Sequence, residues 1–101
     1  MNVLITSAVS AQAHRLKSRL TVDNVILGDY HELPGFMLSA GKMLKLPDPN
    51  SIAYAHEMLT LSLDNAIDVI YVLDNIEAVL LMESKQLFTE YNIDIRSGDE
   101  I

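Results

Sequence analysis

The chain has 101 residues, half of them apolar and 21% charged, which suits one folded domain and argues against disorder. Seven basic residues against fourteen acidic ones give a net charge of −7, a poor basis for binding nucleic acid, where Lys and Arg must displace counterions from phosphates. The absence of cysteine removes disulfides, thiolate nucleophiles and sulfur-bound zinc, and no apolar run is long enough for a membrane-spanning helix.

Val3-Leu4-Ile5 is a continuous β-branched apolar run, the pattern of a strand covered on both faces. Met1-Asn2 before it lacks a basic segment, so the start reads as a strand rather than a secretion signal, and the expected location is the cytoplasm. Thr6-Ser7-Ala8 follow, and either Ser7 or Ser10 can cap the next helix. Val9, Ala13, Leu16 and Leu20 then form one helical stripe, with Arg15, Lys17 and Arg19 off it in a solvated basic half. Val25-Ile26-Leu27 predicts a second strand, ended by Gly28-Asp29.

From Tyr30 to Lys42 the periodicity is weak; Leu33-Pro34-Gly35 reads as a turn and Pro34 to Gly41 as a short helical piece. Met43 to Leu46 is a short third strand stopped by Pro47. Asp48-Pro49 has the form of a helix start, and Ile52, Ala55, Leu59 and Leu63 continue at helical spacing toward Asn65. The run Ile67 to Leu73 is the strongest strand. Asp74 followed three residues later by Glu77 has capping-box spacing, opening a helix that carries Ile76, Leu80, Leu87 and Phe88 inward as far as about Tyr91. Ile93 to Arg96 is the last strand and Ser97 to Ile101 a tail.

Strands alternating with helices imply parallel pairing through right-handed crossovers. The expected fold is a three-layer α/β/α Rossmann-like domain over residues 1–101, with about five parallel strands in the order 3-2-1-4-5. Such sheets bind ligands beyond the carboxyl ends of their strands, near the reversal of strand order. That rule selects Thr6 and Ser7 after the first strand, Asp29 at the end of the second, and Asp74, Asn75 and Glu77 after the fourth. Each also has a structural role open to it: Ser7, Asp74 and Glu77 as caps, Asp29 as the acceptor of a turn.

Dinucleotide binding is disfavoured, because Thr6 to Ala11 contains no glycine and a pyrophosphate needs backbone free of Cβ atoms. Gly35 to Lys42 resembles a phosphate loop only loosely: five residues separate Gly35 from Gly41, and Met43 stands where a magnesium-binding hydroxyl belongs. His14, His31 and His56 lack a second ligand at metal-binding spacing, no glycine elbow surrounds a serine, and Met37, Met43, Met58 and Met82 read as core filler. No cofactor or metal is therefore expected.

Asn2 to Ala8, Asp48-Pro49-Asn50-Ser51-Ile52, Ile67 to Glu77 and Tyr91 to Ile95 together resemble the pre-ATP-grasp domain of carbamoyl-phosphate-synthase-like and biotin-carboxylase-like ligases. Members of that family usually have glycine and a basic residue where Val9-Ser10-Ala11 stands, and an acidic residue at Gly41-Lys42. The resemblance implies a domain that forms one wall of an active-site cleft and helps place the acceptor substrate, while following ATP-grasp domains hold the nucleotide and its magnesium. The expected function is thus a non-catalytic small-ligand binding or assembly module, partnered by an ATP-grasp domain or protein. A homodimerising interaction protein without a ligand is the alternative, and a small enzyme using Asp74 and Glu77 a third reading.

Overall fold

A computed structural model describes residues 1–8, 10–20, 24–31, 35 and 43–97. It has strands β1 (Asn2–Ile5), β2 (Asn24–Asp29), β3 (Met43–Lys45), β4 (Val69–Val72) and β5 (Asp94–Ser97), and helices α1 (Ala11–Arg19), α2 (Tyr54–Asp64), α3 (Asn75–Glu83) and α4 (Lys85–Glu90). The strands form one sheet, all parallel as the alternating pattern implies, in the expected order β3-β2-β1-β4-β5. Apart from Gly35, the expected turn and helical piece at 33–41 lie outside the described residues, as do Val9 and the tail beyond Ser97.

Because strand side chains alternate, the sheet supports a core on each face. One face presents Leu4, Ile70 and Ile95 to Tyr54, Met58 and Leu59 of α2, Leu81 of α3 and Phe88 of α4. The opposite face presents Val3, Ile5, Leu27, Val69 and Tyr71, packed with Ala13 and Leu16 of α1. Toward β5 that second face turns polar. Arg96, in register with Tyr71, donates from Nη1 to the Tyr71 hydroxyl at 3.2 Å and from Nε to Asp94 Oδ2 at 2.6 Å. These two hydrogen bonds hold the guanidinium in its charged form.

Several local expectations need correction. Asp48-Pro49 does not open a helix: Asp48 accepts from Ser51 N at 3.0 Å through its carbonyl and from Asn50 N at 2.9 Å through its side chain. Proline's fixed φ suits the second position of that turn, and α2 begins only at Tyr54. The inward face of α2 consequently runs through Tyr54, Met58, Leu59 and Ser62, while Ile52 is fully exposed. The helix expected from Asp74 to Tyr91 is broken at Ser84 into α3 and α4, and Ile76 points outward. β2 runs on through Gly28-Asp29, whereas β4 is shorter than the apolar run that signals it.

Two helices end alike. Ala66 and Asn92 adopt left-handed conformations (φ 53° and 61°), and the amides of the following residues, Ile67 and Ile93, reach back to Ser62 O and Phe88 O at 2.8 and 3.0 Å. This is the Schellman termination, and it turns the chain directly toward the next strand. Gly28 serves a close approach instead: a Cβ there would lie 2.7 Å from Leu46 Cδ2 and 3.2 Å from Leu4 Cδ1.

Candidate functional site

The six residues selected from the sequence come to one edge of the sheet but do different work. Thr6 is buried, and its hydroxyl accepts from Leu73 N at 2.9 Å, extending the β1–β4 pairing past the strand ends. Ser7 does not cap α1. It sits at φ 56°, in the left-handed region where a glycine is easiest, and its carbonyl accepts from Ser10 N and Oγ at 2.9 and 2.8 Å. Ser10 is the cap, taking Ala13 N at 3.1 Å. Asn75 is exposed at the first position of α3.

Asp74 caps α3 by accepting from Glu77 N at 3.2 Å. Only that half of the capping box forms. The Glu77 side chain turns inward, is fully buried, and accepts from the Tyr54 hydroxyl at 2.5 Å through Oε2. Among the described residues its second oxygen, Oε1, is buried with no hydrogen-bond partner. Burial pushes the Glu77 carboxyl from the ordinary 4.5 up to about 7; Asp74 and Asp29 push the same way, against the Tyr54 hydrogen bond and His31. Tyr54 is held well above the usual phenol range, first by burial and then by its bond to Glu77.

Asp29 is 1% exposed at the end of β2, and one carboxylate oxygen accepts from both His31 N and His31 Nδ1, at 2.9 and 2.8 Å. Tyr30 stacks on the His31 ring with centroids 4.2 Å apart and packs against the α2 face of the core. Its phenol is raised by desolvation and by the carboxylates of Asp74, Glu77, Asp29 and Asp48. Lys45 donates from Nζ to Tyr30 O at 2.5 Å. The edge is therefore an acidic cluster with Glu77 at its buried end and an Asp29–His31 pair at its outer end.

Sequence reasoning found the carboxylates and missed Tyr54, Tyr30 and the engagement of His31. The spacing of Asp29 and His31 is a turn signal in retrospect, since an Asp side chain commonly bonds the backbone two residues on. Nothing local marks Tyr54, which reaches the site from α2 across the crossover.

The arrangement favours donors over anions. Ser10 and Asp74 already occupy the N-termini of α1 and α3, where a phosphate would otherwise find free N–H groups. Among the described residues no group of three or more His, Asp or Glu could hold a metal ion, and no helix is long and apolar enough to cross a membrane. Two surface hollows lie away from this edge, one of about 470 Å³ against His56, Thr60 and Asp64 on α2, the other of about 330 Å³ beside Thr89 and Asn92. Compared with known protein families and with curated proteins, the chain matches none.

Proposed function

We propose that this chain is a pre-ATP-grasp-like domain that binds a small ligand at the carboxyl edge of its sheet and performs no catalysis alone, serving an ATP-grasp domain or protein. One observation carries the binding part: a fully buried Glu77 with a carboxylate oxygen unpartnered among the described residues, where Asp29 and Asp74 also gather. A buried polar atom left without a partner costs about 1–3 kcal/mol, so its retention at the edge where parallel sheets take ligands favours a binding role. The remaining groups support a non-catalytic reading: Thr6 and Asp74 are engaged in holding backbone, and Asp29 in holding His31. Thermal-shift titration with nucleotides, carboxylic acids, amino acids and simple amines tests the reading. A saturable rise in Tm with at least one class is expected; no rise with any of them overturns it.

The alternative of a ligand-free homodimer also has an observation in its favour. Ile76 and Val79, one turn apart on α3, are 60% and 61% exposed. Light scattering at high concentration decides it, because a strict monomer leaves that reading without support.

A further inference from the structure

The class of ligand is legible if this edge is the binding site, the reading on which the inference depends. Glu77 has one acceptor in use, with Tyr54 on Oε2, and one acceptor idle among the described residues. A buried acceptor is complemented only by a donor, and a phosphate or carboxylate brought there would meet three acidic groups. Two basic groups at this edge, among the described residues, are already committed: His31 binds Asp29, and Lys45 directs its ammonium at the Tyr30 carbonyl. Neutral donors would satisfy the oxygen but leave the negative charge of Asp74, which meets no basic side chain among the described residues, uncompensated.

We infer that the ligand taken at this edge presents a protonated amine, which donates an N–H to Glu77 Oε1 while Asp29 and Asp74 supply the surrounding negative potential. Seating it exchanges one cation for another. The Glu77 carboxylic acid releases its proton to solvent, the ammonium keeps its own protons, and an N–H···O⁻ bond forms in place of the O–H bond that breaks. The groups facing Glu77 are Tyr54 from α2, Asp74 from the cap of α3, and Asp29, Tyr30 and His31 from the exit of β2. Of these only Tyr54 touches its carboxylate directly, through Oε2, leaving Oε1 for the ligand. Because burial places Glu77 at about 7, amine affinity rises with pH across neutrality.

The experiment uses butylamine and 1,4-diaminobutane as probes and butyrate as the anionic control, titrated calorimetrically at about pH 6 and about pH 8 in two amine-free buffers of different ionisation enthalpy. The expected result is amine binding about tenfold tighter at the higher pH, proton release visible as a buffer-dependent heat, and no binding of butyrate. Glu77→Gln, which keeps the volume and an acceptor for Tyr54, is expected to lose amine binding. Asp74→Asn, which keeps the cap of α3, is expected to weaken it several-fold. Amine binding that is unchanged in Glu77→Gln, or insensitive to pH, overturns the inference. Silence of both amines while another class raises Tm overturns the amine assignment alone; silence of every class removes the binding reading with it.

Discussion

Glu77 concentrates the energetics of the site in one side chain. Its carboxyl rises from 4.5 in the unfolded chain to about 7 in the fold, chiefly through burial. A raised acid contributes stability that is complete below its unfolded value and is lost as pH climbs through its folded value. The native protein is therefore expected to weaken by about 2.5 kcal/mol between about pH 5 and pH 8, as proton binding by the folded state is forfeited. Glu77→Gln imitates the neutral acid, so the variant is expected to match the native protein near pH 5, exceed it near pH 8, and show a flatter profile. Urea unfolding at several pH values measures this; a parallel pair of profiles would mean that Glu77 is not the titrating group. The same result makes a loss of ligand binding in that variant interpretable, since it cannot come from unfolding.

At the scale of elements, terminations and caps determine where side chains point. α3 starts where the Asp74 side chain takes Glu77 N, and because that cap needs only backbone, the Glu77 side chain is free to turn toward Tyr54. α2 ends in a left-handed Ala66 at φ 53°, a conformation that burdens any residue with a Cβ by about 1 kcal/mol or more. Ala66→Gly is expected to raise stability by about 0.5–1 kcal/mol, the relief exceeding the added freedom of the unfolded chain, with an unchanged denaturant slope. Chemical denaturation checks it, and a loss of stability would show that the Cβ of Ala66 has a packing role. Asn92 at the end of α4 is already suited to its conformation, since Asn tolerates the left-handed region better than other residues with a Cβ.

Across the whole molecule, the sheet is the shared wall of two cores, and Gly28 marks the place where three segments meet most tightly. Leu46, just after β3, fills the space a Cβ would occupy, and Leu4 of β1 closes it from the other side. Gly28→Ala is expected to cost about 1–3 kcal/mol through overpacking. Leu46→Val in the same chain is expected to recover part of that loss, which a double-mutant cycle in urea detects as non-additivity. Additive effects would place the strain elsewhere.

What the sequence by itself determined is the fold class: apolar runs rich in β-branched residues alternate with helical stripes, and crossovers that return the chain to the same end of the sheet make the strands parallel; the order 3-2-1-4-5, one of those compatible with this pattern, is the one observed. It also located the acidic residues at the carboxyl edge, because that edge is defined by the strand ends. Helix limits were less legible. Asp48-Pro49 has the same chemistry as a helix start and as a tight turn, and only the packing of Tyr54 into the core sets the first helical residue. Tertiary structure alone decided the state of the site. Whether Glu77 completes a capping box or enters the core depends on Tyr54, a neighbour in space and not in sequence, and burial is what lifts its carboxyl.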